Sequence, residues 1–175
     1  MAGAPDVIWV NGAFGVGKTA VAELLVEQIE DATLVDPELI GEMLRQFAPA
    51  ASQTADWQDM PAWRSLTREA LASLARDRHA PLVVPMTIVR VDYLDETVGA
   101  LRASGIDVRH FTLVASRETV LARLVARDVD DNQWARDQVA RCVDALSDPR
   151  FAEHVDAEAR KSADVASDIL ARLAA

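Results

Sequence analysis

Eight residues near the start of the chain, Gly12-Ala13-Phe14-Gly15-Val16-Gly17-Lys18-Thr19, constrain it more than any other stretch. They fit the pattern G-x-x-x-x-G-K-[ST], a loop that turns successive backbone amides towards phosphate oxygens. The residue types follow from that task. Glycines at 12, 15 and 17 let the backbone turn tightly, so that the N–H groups of the whole loop, Ala13, Phe14 and Val16 included, can point inward. Lys18 supplies an ammonium for the β- and γ-phosphates of ATP, and the Thr19 hydroxyl can complete a Mg²⁺ shell. The flanks agree with this assignment. Val7 to Val10 has the look of a short buried strand, and Val21, Leu24, Leu25 and Ile29 recur at helical spacing. The bound anion would then sit on a helix N-terminus.

A chain of 175 residues, half of them hydrophobic, is long enough for one folded domain with a substantial core. Its formal net charge of −10 argues against a general nucleic-acid binder, because a phosphate backbone demands a basic surface. ATP needs only a local positive pocket. Cys142 is the sole cysteine, which excludes an intrachain disulfide and a cysteine-based zinc site. His79, His110 and His154 lack ligand spacing and are expected to be structural or surface residues. Met1 to Asp6 lacks the features of a signal peptide, and no run has the length of a membrane span, so a cytoplasmic location is the default expectation.

After the first helix, Ala32 to Val35 is expected to form a second strand that ends at Asp36. Pro37 follows, with Leu39, Ile40, Met43, Leu44 and Phe47 as the apolar face of a helix. Asp36 is well placed as a helix N-cap ahead of a first-position proline. A carboxylate at the C-terminal end of a parallel strand also faces the ligand crevice, and both roles can hold together. Residues 48–60 form a polar, alanine-rich connection containing Asp56, Trp57 and Asp59, a candidate lid or substrate-binding segment. Helical spacing resumes at Pro61, with Trp63 in the core. Arg64 and Arg68 are expected in solvent, although Arg64 could reach a ligand from the first turn.

Pro81 to Thr87 has the composition of a central buried strand, from which Met86 and Thr87 would emerge beside Asp36. A helix over Leu94 to Ala103 stops at Ser104-Gly105, and Val108 to Val114 makes a fourth strand. The next helix carries Val120, Leu121, Leu124 and Val125 on its apolar face, with Arg123 and Arg127 four apart on one side. Beside the turn-rich run Asp128 to Asn132, these arginines could clamp triphosphate oxygens or simply balance nearby acids. A helix from Trp134 to Leu146, a short fifth strand ending near Asp156 and a last amphipathic helix complete the chain. Strands alternating with helices in this way predict a three-layer α/β domain with a parallel sheet.

With these segments named, the whole chain resembles the tunicamycin-resistance protein family within the P-loop kinase-like proteins. The cues are Ile8 to Gly15, Asp36-Pro37-Glu38, Trp63-Arg64, Val84 to Val89, His110 to Leu113, Ala115-Ser116, Trp134 and Arg141-Cys142-Val143. The resemblance implies a nucleoside-monophosphate-kinase-like fold, a five-stranded sheet of order 2-3-1-4-5 and ATP binding with Mg²⁺. It also implies protection against tunicamycin, a uridine-containing nucleoside antibiotic, either by phosphorylating a hydroxyl or by holding the drug. A general nucleoside or nucleotide kinase is a weaker third option. Asp36 matches the aspartate that related antibiotic phosphotransferases use as the hydroxyl base. The expected site is therefore Lys18, Asp36, Arg123 and Arg127 for catalysis, Asp36, Arg64, Met86 and Thr87 for the substrate, and Thr19 for the metal. Segment 37–68 is the expected substrate-binding region of the single domain 1–175, and 123–136 the expected lid. One departure stands out: strand three carries no acid at its end to hold Mg²⁺ through water, so either the cation relies on Thr19, phosphate oxygens and water, or Asp36 serves the metal rather than the hydroxyl.

Overall fold

The first strand, β1 (Val7–Gly12), has no exposed residue. Burial on both faces is what a central parallel strand requires when helices cover each side of the sheet. The computed structural model describes residues 4–77, 80–127 and 133–175 and bears this out. β1 lies between β3 (Leu82–Pro85) and β4 (Val108–Val114), with Val7 in register with Leu82 on one side and Val108 on the other. β2 (Thr33–Leu34) and β5 (His154–Asp156) form the edges, giving five parallel strands in the order β2-β3-β1-β4-β5. All strands run the same way, so their C-terminal ends gather along one rim, where ligands bind in folds of this kind.

The helices are α1 (Lys18–Gln28), α2 (Glu38–Phe47), α3 (Pro61–Arg76), α4 (Val91–Leu94), α5 (Ala100–Ala103), α6 (Arg117–Arg127), α7 (Gln133–Leu146) and α8 (Ser162–Leu173). A π-helical stretch, Asp95–Gly99, joins α4 to α5, so the helix expected from Leu94 begins earlier, at Val91. There Thr97 Oγ1 donates to the Tyr93 carbonyl at 2.7 Å, a side-chain bond of the kind that competes with the regular helical ladder. Among the described residues no helix is long and apolar enough to cross a membrane.

Two expectations about packing need correction. On α2 only Gly41 and Leu44 are buried, while Leu39, Met43 and Phe47 stand 62%, 43% and 66% exposed. This helix is fastened at one end and along a narrow line: the Trp63 indole donates to the Pro37 carbonyl at 2.8 Å, and Gly41 packs on Trp57. On α6, Val120 is fully buried but Val125 is largely exposed. Residues 48–60 are not a featureless loop, since two 3₁₀ turns, Ala50–Ser52 and Trp57–Asp59, order them.

One polar cluster crosses the core. Asn11 Oδ1 accepts from the amides of Gly12 and Ile88 at 2.8 and 2.9 Å, and its Nδ2 donates to the Ile88 carbonyl at 2.9 Å. The same Nδ2 lies 3.3 Å from His110 Nε2, while His110 Nδ1 lies 3.3 Å from the Ala152 carbonyl. Only the neutral Nδ1–H tautomer satisfies both neighbours, since Nε2 must accept. Burial holds the His110 pKa down at about 4, from an ordinary value of 6.5.

Between those two values the unfolded chain binds the proton and the folded one does not. Stability is therefore full above about pH 6.5 and falls as the pH drops towards 4. His110→Gln is expected to flatten that part of the pH–stability curve in urea titrations. Asn11→Ala strands several buried backbone groups and is expected to lower stability by about 2–3 kcal/mol, read from the same titrations at neutral pH.

Candidate active site

The loop between β1 and α1 turns through left-handed glycines, with φ of 82° at Gly15 and 112° at Gly17. At Gly15 a side chain is excluded twice over, because a Cβ there would lie 2.4 Å from Leu124. The first α1 bond that spans a full turn, Val21 N to the Gly17 carbonyl, leaves the amides of Lys18, Thr19 and Ala20 without an acceptor inside the helix. Lys18 Nζ donates to the Ala13 carbonyl at 3.0 Å and lies 5.5 Å from the Phe14 ring centroid, so the ammonium already hangs over the loop. Thr87 Oγ1 holds the Gly12 carbonyl at 2.9 Å. Cys142 is buried beneath the loop, and burial raises its thiol pKa.

Of the cavities that border this loop among the described residues, three bear on the site. The first, of about 330 Å³, is bordered by Gly17, Lys18, Thr19, Asp36 and Glu38, which puts the ammonium, the hydroxyl and two carboxylates around one space. Asp36 Oδ1 accepts from the Glu38 amide at 2.9 Å, so Asp36 caps the start of α2 and still faces the cavity. Glu38 was not singled out from sequence as a site residue; the signal was its place two residues after Asp36. Although much of the residue is exposed, protein encloses its carboxyl end, and this desolvation, followed by the charge of Asp36, raises its pKa.

The second cavity, of about 420 Å³, shares Phe14 and Glu38 with the first and continues to Arg45, Trp57, Met86 and Trp134. The third, of about 560 Å³, lies on the other side of the loop, between the start of α1, Arg123 and the 157–162 turn. Met86 lines the second of these cavities, next to the phosphate loop. Thr87 is buried and bound to the loop backbone instead of lining either space.

The arginines differ from expectation. Arg64 is buried, not solvated. Its guanidinium donates to Glu96 and to the Gln58 carbonyl, both at 2.6 Å, and stacks 3.9 Å from the Tyr93 centroid, which leaves it occupied away from the cavities. Arg123 donates to the carbonyls of Val16, Ala157 and Arg160 at 2.9, 2.8 and 3.2 Å. It ties the phosphate loop to the turn after β5 and borders the third cavity, not the one that holds Asp36. Arg127 closes α6, but its side chain lies outside the described residues, as do residues 128–132 of the expected lid.

The oxygen donors of Thr19 and Asp36 border one compartment with Lys18, and a hard-oxygen set beside phosphate is what Mg²⁺ takes. These residues therefore fit the cation, even though β3 ends in Pro85 with Met86 and Thr87 following, none of them acidic.

Over nearly its full length this arrangement matches the tunicamycin resistance protein of Deinococcus radiodurans, at 31% identity, 96% coverage of this chain, 95% of that chain and a TM-score of 0.79. The chain belongs to the tunicamycin-resistance protein family. A family profile described as an AAA domain matches residues 7–149. The same P-loop kinase-like fold recurs in a gluconokinase from Sinorhizobium meliloti 1021, at 24% identity, 98% and 93% coverage and a TM-score of 0.71. It recurs again in a shikimate kinase from Acinetobacter baumannii, at 19% identity, 98% and 93% coverage and a TM-score of 0.60. No curated protein matches the sequence.

Lys18 is half-buried, with its ammonium on the Ala13 carbonyl and near the Phe14 ring. Lys18→Ala is expected to weaken binding of a fluorescent ATP analogue about 10- to 100-fold while leaving the urea midpoint unchanged. A large fall in that midpoint would make Lys18 a structural residue.

Proposed function

We propose that the protein is an ATP-dependent phosphotransferase that acts on a hydroxyl of tunicamycin or a similar nucleoside antibiotic. One observation carries this reading: the compartment holding Lys18, Thr19 and Asp36 shares Phe14 and Glu38 with an adjoining cavity large enough for an acceptor. A phosphate donor on the loop and an alcohol in that cavity would meet beside Asp36. The third cavity, behind the loop, takes the base and sugar of the nucleotide.

In this scheme the acceptor oxygen attacks the γ-phosphorus as the bond to the β,γ-bridging oxygen breaks, and ADP leaves. The hydroxyl proton passes to Asp36 and then to solvent. Lys18 and the loop amides hold the phosphates and take up negative charge as it shifts towards the bridging oxygen. Mg²⁺, when bound near Thr19 and Asp36, supplies further charge neutralisation for the phosphates. Arg123 supports the step by positioning Val16 of the loop rather than by touching the transferred group. Substrate-binding segment 37–68 then contributes Glu38, Arg45 and Trp57, with Arg64 bracing the segment from within.

A second reading, ATP-gated sequestration of the drug without chemistry, is favoured by the absence of an acid after β3. Incubation with Mg²⁺, ATP and a molar excess of tunicamycin separates the two. The phosphotransferase reading expects recovered drug to gain one phosphoryl group on more molecules than there are protein molecules. Unmodified drug bound tightly in the presence of ATP would overturn it in favour of sequestration. Faster transfer to common nucleosides than to the drug would make the protein a general nucleoside kinase.

Given turnover, Asp36→Asn is expected to slow transfer about 10²- to 10⁴-fold with ATP affinity unchanged. A wild-type rate in that variant would remove Asp36 from the chemistry.

A further inference from the structure

A fourth cavity, of about 250 Å³, borders the phosphate loop at Ala13 and Val16 and takes no part in the scheme above. Its walls are apolar. Leu113 of β4, Val120 of α6 and Leu146 of α7 line it, and all three are almost fully buried. An aliphatic cavity of about 150 Å³ stays dry and accepts benzene, so this space suits an apolar body of about six to ten non-hydrogen atoms.

The mouth has the opposite chemistry and one sign of charge. Asp156 and Glu158 border it from the turn after β5. The Glu158 carboxylate is committed, since it accepts from the Ser116 amide at 2.6 Å, from Ser116 Oγ at 3.2 Å and from Thr119 Oγ1. Asp156 is exposed, and its Oδ1 accepts from the Glu158 amide at 2.8 Å. Among the described residues its Oδ2 accepts no hydrogen bond, and no cationic side chain lines the cavity. The nearby arginines are spent. Arg117, at the start of α6, pairs with Asp144. Arg160 reaches the Asp156 carbonyl but pairs its charge with Asp168 and lines the third cavity instead.

We infer that this cavity is a binding site for a small hydrophobic amine, whose apolar body fills the space beside the phosphate loop and whose ammonium donates to Asp156. Charge complementarity decides among ligands of this size. A carboxylate or phosphate would face two carboxylates with no cation to offset them. A polyol would leave its hydroxyls against aliphatic walls without partners. An ammonium finds an unspent acceptor in a field of favourable sign. The site is separate from the one given to the nucleotide. It shares Val16 and Leu113 with the third cavity, but its rim is Asp156 and Ser147 rather than Arg123 and Lys161.

Ligand-observed NMR titrations of the whole chain at pH 7 test this, with benzylamine, benzyl alcohol, benzoate and methylamine as probes. Benzylamine is expected to bind saturably, benzyl alcohol about 3- to 5-fold more weakly, and benzoate and methylamine not measurably. Asp156→Asn keeps an acceptor for the Glu158 amide and removes the charge. It should weaken benzylamine by the same factor and leave benzyl alcohol unchanged. Val143→Phe, at a half-buried position on the wall, should abolish binding of both while affinity for a non-hydrolysable ATP analogue stays the same. If the larger side chain prevents folding, Asp156→Asn decides alone. No saturable binding of benzylamine, equal affinity for benzoate, or benzylamine binding indifferent to Asp156→Asn would overturn the site. So would displacement of benzylamine by the ATP analogue, because the cavity would then belong to the nucleotide. None of these readouts requires phosphoryl transfer, so their outcome is independent of the phosphotransferase reading.

Discussion

Asn11 is the interaction on which the site depends. It is the last residue but one of the central strand, and its side chain binds the backbone of its own strand end at Gly12 and of the segment after β3 at Ile88, while its contact with the His110 ring on β4 extends the cluster to the turn at Ala152. A buried amide with every partner in place costs little to keep and much to disturb. The same cluster sets where the phosphate loop departs and where Met86 and Thr87 cross beneath it. The position of the loop is thus a consequence of polar bonds inside the core more than of the loop itself.

A second network does for the turn at Trp57 what Asn11 does for the phosphate loop. Gln58 is fully buried, accepts from the Val89 amide, donates to Asp56 and offers its own carbonyl to Arg64. Arg64 continues to Glu96, and Asp56 continues to Arg141 on α7. A chain of charged and amide groups therefore fixes the short turn that carries Trp57, between α3 on one side and α7 on the other.

The strands, most helices and the phosphate loop were legible because their causes are local: apolar runs of strand length, helical spacing, and glycines ahead of a lysine. The strand ladder order followed from family resemblance, and the structure agrees with it. What could not be read was which side of an amphipathic helix would find a partner. Leu39, Met43 and Phe47 have the same spacing as a core face, yet Gly41 and Trp57 take the contact. The arginines failed for a similar reason. Nothing in the sequence around Arg64 or Arg123 distinguishes a guanidinium that reaches a ligand from one that is spent on Glu96 or on carbonyls of other segments, because those acceptors are brought into reach only by the fold. Glu38 escaped notice because the enclosure of its carboxyl end comes only with the tertiary structure.

The fate of the arginines also constrains how the site manages charge. Arg64 is consumed by Glu96 and Gln58, Arg123 by three carbonyls and Arg141 by Asp56. Around the compartment that holds Asp36 and Glu38, Lys18 is the cation among the described lining residues, and two carboxylates face it. A triphosphate entering there meets a field that is not strongly positive, so its binding leans on oriented amides and on the N-terminal end of α1 as much as on side-chain charge. The same balance favours a divalent cation arriving with the nucleotide, since it offsets the acids that would otherwise repel the phosphates. In a chain of net charge −10, the positive potential that a triphosphate would meet in this compartment thus comes from backbone dipoles and Lys18, while Arg64, Arg123 and Arg141 hold neighbouring segments in place.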